Sequence, residues 1–230
     1  MCFSSSASFV VAAALLPLGV AGVRYCREEQ REELLPLAAT PLIFSLQQAL
    51  EGLVWLGLGP GGSDRLVHAA ALGYLFFAYA FWLVWFPWCV LQLNRQAAPF
   101  LRRRILMGLL LLGLLIGAVL WWPLLVDGSR LQPAVVNGSL DYGTTSLVDP
   151  WINLGLGSTA YGLVVIGPLL LSALGRLRWF GAAILAAFLV SHLAFGHAFA
   201  SVWCFFSALL SASLYWIRRE PEPVVQPGLG

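Results

Sequence analysis

The side chains best suited to chemistry are few, and they lie within long apolar stretches. Glu51 is the only charged residue between Leu34 and Ser63, and Gln47 and Gln48 precede it by about one helical turn. At this spacing the three side chains share nearly one face of a helix. A carboxyl group in an apolar helix is either protonated or paired with a cation, and it commonly marks a binding site or a proton path. The stretch therefore predicts a polar site around Glu51.

Histidines offer a second kind of chemistry, because imidazole and carboxylate groups together bind metals. His68, Glu51 and His192 form the candidate metal set, which could activate water for hydrolysis. A Glu–His pair could instead relay protons. His192 and His197 are five positions apart and so point about 140° apart on a continuous helix, unlike the i, i+4 pair of helical metal motifs. The spacing therefore favours a Glu51 bonded to a neighbouring polar side chain or backbone carbonyl over a metal site.

The elements that must hold these residues are membrane helices. Of the 230 residues, 60% are apolar and 10% are charged, whereas a soluble domain has about 45 to 50% and about 25%. A soluble globule is excluded, and the net charge of +2 gives no support to nucleic-acid binding. Six apolar runs are long enough for a helix of about 20 residues. The last, residues 179–217, is nearly twice that length and is expected to fold back near Gly196 and His197, which makes seven helices.

The basic residues predict the orientation of these helices. All thirteen are arginine, which together with the abundance of Ala, Gly, Leu and Pro is typical of a high-GC, bacterial genome. Arginine collects on cytoplasmic loops, and with the N-terminus outside only Arg65 and Arg130 lie on the outer side. The prediction is an all-α bundle of seven transmembrane helices in the bacterial inner (plasma) membrane, with the C-terminus in the cytoplasm. The expected helices are residues 8–25, 35–58, 66–92, 105–126, 151–174, 179–195 and 198–217, in one membrane domain (1–217) followed by a disordered cytoplasmic tail (218–230).

Two stripes of small residues predict where helices approach closely, because membrane helices pack through small side chains. Gly113 and Gly117 form a GxxxG pair in the fourth expected helix. A second stripe lies on one face of the last helix and consists of Ser201, Cys204, Ala208 and Ser211. Cys204 and Cys2 are both expected toward the outer, oxidising side, so a disulfide between them is a further candidate.

Three motifs resemble those of a known family. They are M-C-F-S at 1–4 followed by A-S-F at 7–9, Q-Q-x-x-E-G-x-x-W at 47–55, and S-V-W-C-F-F at 201–206. Together they resemble an uncharacterised bacterial family of multi-pass membrane proteins, known only as a domain of unknown function. The resemblance covers most of the chain and implies a membrane fold but no reaction. It implies that the family pattern includes Cys2, Gln47, Gln48, Glu51, Trp55, Trp203 and Cys204; His197 is outside that pattern.

Other seven-helix families fit less well. A retinal protein needs a Schiff-base lysine, and the chain has no lysine, so a retinal cofactor is excluded; no other cofactor is indicated. Membrane hydrolases that resemble ceramidases carry an HxxxH pair in the last helix, and here the nearest match is one residue too long.

These observations lead to one main hypothesis and two alternatives. The main hypothesis is a polar pocket open to the outer side, in which Glu51 binds or transports a small polar ligand or a proton. The alternatives are a metal-dependent membrane enzyme and a structural or cofactor-holding subunit of a membrane complex; a non-enzymatic role is favoured. Expected partners are the lipid bilayer, the small ligand, and a membrane protein or second copy of the chain. The predicted pocket lining is Gln47, Gln48, Glu51, Trp55, His192 and Cys204.

Overall fold

The computed structural model describes residues 4–93, 100–144, 156–195 and 198–219. Within these ranges the chain forms seven helices. A 3-10 turn, Glu32–Leu34, leads into the second helix, and a 3-10 segment, Ala212–Arg219, continues the last. The helices are α1 (Ser5–Glu28), α2 (Leu35–Gly57), α3 (Asp64–Leu93), α4 (Phe100–Val126), α5 (Leu156–Leu170), α6 (Gly175–Ala194) and α7 (Phe199–Ser211).

Six of these helices are long and apolar enough to cross a membrane, when α2 is counted from Glu32 and α7 is counted with its 3-10 continuation through Trp216. The exception is α5, whose apolar part, Gly157–Leu170, is shorter. The expectation of a helical, multi-pass membrane protein is therefore confirmed. Helix α6 ends at Ala194 and α7 begins at Phe199, and the reversal expected at Gly196 and His197 lies between them, outside the described residues.

Helices α1 and α2 form a closely packed pair. A Cβ atom on Gly19 would lie 2.6 Å from the backbone nitrogen of Leu42, so only glycine allows this approach. The Ser45 hydroxyl donates a hydrogen bond of 2.7 Å to the carbonyl oxygen of Ala12. Small residues and side chain to backbone bonds of this kind hold membrane helices together. The packing brings the first two turns of α1 against the part of α2 that carries Glu51.

The GxxxG pair joins α4 to α3. A Cβ atom on Gly113 would overlap the carbonyl oxygen of Leu83, and one on Gly117 would lie 3.0 Å from the Cα of Ala80. The predicted packing role of this pair is confirmed. The second small-residue stripe is also confirmed as a buried face, since Ser201, Cys204, Ala208 and Ser211 are all buried in α7.

Helix α3 contains a π-helical segment, Phe77–Phe81, between two α-helical parts. Such segments insert an extra residue per turn and occur frequently at functional sites. The carbonyl oxygen of Ala78, within this segment, accepts a hydrogen bond from the Tyr161 hydroxyl of α5. The first residue after the segment, Trp82, points toward α2.

A small antiparallel hairpin follows α4. Strands β1 (Ala134–Val136) and β2 (Ser139–Asp141) are joined by Asn137 and Gly138, whose φ angles are 51° and 77°. Two consecutive residues with positive φ are typical of a type I′ hairpin turn, for which Asn-Gly is the preferred sequence. The all-α prediction holds for the bundle and missed this hairpin. Its strand β2 and the residue Tyr142 are buried against the bundle, and we call that end of the bundle the hairpin end.

Candidate functional site

The Glu51 carboxyl joins three helices in the interior of the bundle. Glu51 is 2% exposed. Its Oε2 accepts a hydrogen bond of 3.3 Å from the Ser8 hydroxyl of α1, and its Oε1 accepts one of 2.5 Å from the Ser201 hydroxyl of α7. Both of these hydroxyl groups are neutral, and the Gln48 and Tyr74 side chains also lie beside the carboxyl. The chain has no lysine, and its arginines lie near helix ends or in loops.

The two glutamines next to Glu51 are fully buried but differ in their bonding. The Oε1 of Gln47 accepts a hydrogen bond of 2.8 Å from the indole nitrogen of Trp82. Its Nε2 has no hydrogen-bond partner within the described ranges. The Gln48 side chain interacts favourably with the Glu51 carboxyl, but neither of its amide atoms has a partner at hydrogen-bond distance among those residues. A buried amide without partners costs about 1 to 3 kcal/mol, so this site holds unused hydrogen-bonding capacity.

Two tyrosines and a cysteine complete the surroundings of the carboxyl. The Tyr74 hydroxyl donates a hydrogen bond of 3.2 Å to the carbonyl oxygen of Ala200, and its ring stacks on Tyr142 at a centroid distance of 4.9 Å. Cys204 lies beside Tyr74 and Gln47. The Tyr142 hydroxyl finds no partner in the described part of the chain. We call this set the Glu51 cluster; it comprises Ser8, Gln47, Gln48, Glu51, Tyr74, Tyr142, Ser201 and Cys204.

The structure brings four of the six predicted pocket residues together and leaves two apart. Gln47, Gln48, Glu51 and Cys204 belong to the cluster. Trp55 is half-buried and packs on the neighbouring apolar residues.

The other outlying residue is His192, which is exposed on α6. Its ring lies parallel to Phe188 at 6.0 Å and edge-on to Phe199 at 5.9 Å. The family-pattern residue Trp203 also faces this group, since its indole stacks on Phe199. His192 therefore belongs to an aromatic cluster of α6 and α7 and not to the Glu51 cluster.

The predicted metal ligands are not brought together. His68 packs against Gly128 after α4, where a Cβ atom would lie 2.8 Å from the imidazole. The described residues contain no group of three His, Cys, Asp or Glu side chains that could hold a metal ion. Of the predicted disulfide, Cys2 lies outside the described residues, and Cys204 is buried with no disulfide to any of them; that pairing stays a prediction.

The cluster is closed in this structure, whereas the sequence predicted a pocket open to the outer side. Gln47 and Gln48 are 0% exposed and Cys204 is 4% exposed. At the hairpin end, Leu140 is fully buried and Tyr142 is 4% exposed. The hairpin was not foreseen, and it supplies the cover that closes the site.

Several cluster members were not identified as site residues from the sequence. Ser8 and Ser201 lie in the A-S-F and S-V-W-C-F-F motifs, so the family motifs carried a signal for both. Tyr74 is a polar residue inside an apolar run, which could have marked it. Tyr142 comes from a loop distant in sequence, and no local pattern indicates that it reaches the bundle interior.

The cluster offers groups that can bind a small ligand. Besides Gln47, Cys204 and the two tyrosines, it holds one carboxyl, two hydroxyls that donate to it, and the Gln48 amide, all shielded from solvent. No described histidine is in reach as a general base, since His68 and His192 pack elsewhere. Such an arrangement can hold a proton or a small ligand.

Comparisons with known proteins agree with the motif resemblance. The model of a family of unknown function matches residues 1–227 of the chain. No curated protein and no solved structure matches.

Proposed function

The chain belongs to DUF6629, a family of unknown function, and we propose that it is a bacterial inner-membrane protein that binds or transports a small polar ligand or a proton at Glu51. In this proposal all seven helices cross the membrane, the N-terminus lies outside and the C-terminus lies in the cytoplasm. The Glu51 cluster then lies in the outer half of the bundle and is the binding site.

The distribution of arginine supports the proposed topology. With this orientation all but two of the thirteen basic residues lie on the cytoplasmic side, as the positive-inside rule requires. A reporter enzyme active only in the periplasm, fused after Arg219, should be inactive, and the same reporter inserted at the Asn137–Gly138 turn should be active. The opposite pattern would reverse the orientation.

The unpartnered Gln48 amide is the observation that carries the proposed binding role. Buried polar groups in proteins nearly always have hydrogen-bond partners, and natural sequences depart from such rules mainly at functional sites. A small polar ligand beside Glu51 would supply the missing partners. If Glu51 served only to tie α1 and α7 to α2, its two serine bonds would suffice and a buried amide beside it would only destabilise the protein.

The test is the Glu51→Gln variant, which keeps the shape of the side chain and removes its titration. The melting temperature of the purified protein in detergent is measured from pH 5 to pH 9. We expect the wild-type value to vary with pH and the variant value to vary much less, because the variant no longer exchanges a proton at this position.

The matched control is Glu33→Gln, since Glu33 is an exposed carboxyl that pairs with Arg31. It should keep the wild-type pH profile. If Glu51→Gln folds and also keeps that profile, the proposed role of Glu51 is wrong. Elemental analysis and a visible spectrum of the same wild-type preparation test the alternative enzyme, because about one zinc or iron per chain would favour it.

A further inference from the structure

We infer that the Glu51 cluster is a binding site for a single Na⁺ ion, which a proton can replace. This inference rests on the proposed function and names the ligand of the same site. Its two supports are the charge balance around Glu51 and the set of oxygen atoms that surrounds the carboxyl.

The charge balance calls for one monovalent cation. Among the described residues, the titratable groups that face Glu51 are Tyr74, Tyr142 and Cys204. Tyrosine and cysteine side chains are ordinarily neutral at pH 7. The site therefore contains at most one negative charge. A buried charge is tolerated where it is paired or coordinates a metal. A single positive charge neutralises one carboxylate, whereas a divalent ion would leave an uncompensated charge in the bundle interior.

The atoms around the carboxyl are the ligands of a hard cation. The Ser8 and Ser201 hydroxyl oxygens lie 3.3 Å and 2.5 Å from the two oxygens of Glu51. A hydroxyl group that donates its proton to the carboxylate keeps lone pairs for another partner. Carboxylate, hydroxyl and carbonyl oxygens suit hard ions, while zinc and copper favour imidazole and thiolate groups. The described histidines lie outside this cluster.

The position of the Gln48 side chain favours a sodium site over a site that binds only a proton. A protonated carboxyl with two hydroxyl neighbours needs no further oxygen atom. The Gln48 side chain nevertheless lies beside Glu51, is 0% exposed, and has no partner for its amide oxygen within the described residues. Since no described residue holds either amide atom at hydrogen-bond distance, the amide can turn its oxygen toward a cation that lies against the carboxyl. That oxygen completes a set with Glu51, Ser8 and Ser201.

The enclosure of the cluster fits a cation that is held by protein oxygens in place of water. Its side chains are buried, and Tyr142 closes it on the side of the hairpin. In a closed site, the affinity for the ion depends on the number of protein oxygens, so removing one of them should weaken binding measurably.

The experiment uses the full chain in detergent and the metal ion alone. Melting temperatures are followed by tryptophan fluorescence in NaCl, with choline chloride added to keep the ionic strength constant, from pH 6 to pH 9. A ligand that binds only the folded state raises the melting temperature by an amount that grows with the logarithm of 1 + [ligand]/Kd, so an apparent Kd can be fitted from the rise. We expect such a rise with Na⁺, and an apparent Kd for Na⁺ that falls about tenfold per pH unit where one proton competes.

Three variants locate the site. Glu51→Gln should abolish the response to Na⁺. Gln48→Leu should keep the response but raise the apparent Kd for Na⁺ at least tenfold. This variant guards against misfolding because its stability should exceed that of the wild type. The exposed control Glu33→Gln should respond like the wild type. Radioactive sodium should bind at about one ion per chain to the wild type and not to Glu51→Gln.

The outcomes separate this inference from the proposed function. Equal melting temperatures in NaCl and choline chloride at pH 9 overturn the sodium site, and so does a wild-type sodium affinity in Gln48→Leu. If the pH profile still flattens in Glu51→Gln, the proton-binding role stands without sodium. If both the sodium response and the pH profile survive in Glu51→Gln, both ideas are wrong.

Discussion

Neighbouring glutamines in α2 should respond in opposite directions to the same substitution. Gln48→Leu should stabilise the protein, and Gln47→Leu should destabilise it. The two residues are adjacent in sequence and equally buried, so burial and helix propensity cancel in the comparison. What differs is their hydrogen bonding.

The expected gain at Gln48 comes from removing an unpartnered amide. Burying a polar group without a hydrogen bond costs about 1 to 3 kcal/mol, and leucine replaces the amide with an apolar group of similar length. The free energy of unfolding should therefore rise by about 1 kcal/mol or more, which corresponds to about 2 to 4 °C in melting temperature for a chain of this size. The measurement is made without Na⁺, because a bound ligand would stabilise the wild type.

The expected loss at Gln47 comes from its bond to Trp82. The indole of Trp82 is 3% exposed and stacks on Phe44 at a centroid distance of 4.0 Å, so its N–H cannot reach water when the Gln47 oxygen is removed. A hydrogen bond in a membrane protein contributes about 0.6 kcal/mol on average, and an unsatisfied indole adds to that cost. Loss of the unpartnered Gln47 Nε2 offsets the cost of the unsatisfied indole, which leaves a net destabilisation of about 0.6 kcal/mol.

The measurement is the melting temperature of the two variants and the wild type, in one detergent and without sodium. A Gln48→Leu melting temperature below that of the wild type would refute the reasoning, because it would show that the Gln48 amide makes a favourable interaction in the apo protein. Equal losses in both variants would refute it as well.

Two further predictions concern the packing that supports the site. Gly113→Ala should lower the free energy of unfolding by about 1 to 3 kcal/mol, and with it the melting temperature, since the added Cβ would overlap the Leu83 carbonyl. The control Gly108→Ala, which has open space at its Cβ, should be neutral or slightly stabilising. Equal losses of stability in the two variants would contradict the packing role. Tyr161→Phe should cost about 1 kcal/mol, because it removes the hydroxyl bonded to Ala78 in the π-helical segment; an unchanged melting temperature would show that this bond contributes nothing.

The centre of the site could be predicted from the sequence because its signal is local. A carboxyl within an apolar helix is rare, and Gln47 and Gln48 lie on nearly the same face by helical periodicity alone. The close contacts at Gly113 and Gly117 were predictable for the same reason, since both the motif and its physical effect lie within one helix.

The remaining site residues depend on how whole helices are rotated and on long-range contacts. Helix α6 is apolar on every side, so its sequence does not show which face is inward, and His192 was assigned to the pocket although it is exposed. Serine is also an ordinary packing residue in membrane helices, so Ser201 was interpreted only as part of a small-residue stripe. Tyr142 reaches the cluster because the hairpin before it packs against the bundle, and no local sequence pattern predicts that packing.

Because of its π-helical segment, the two α-helical parts of α3 do not share one helical phase. Buried pairs occur at Tyr74 and Leu75 before the segment and at Trp82 and Leu83 after it, eight positions later, whereas two turns of α-helix take about 7.2 residues. A single helical wheel drawn over Asp64–Leu93 would therefore misplace the inward face of the second half by about 80°. An insertion or deletion of one residue within the segment would rotate the second half by about 100° relative to the first, so the segment sets the phase at which Trp82 meets Gln47.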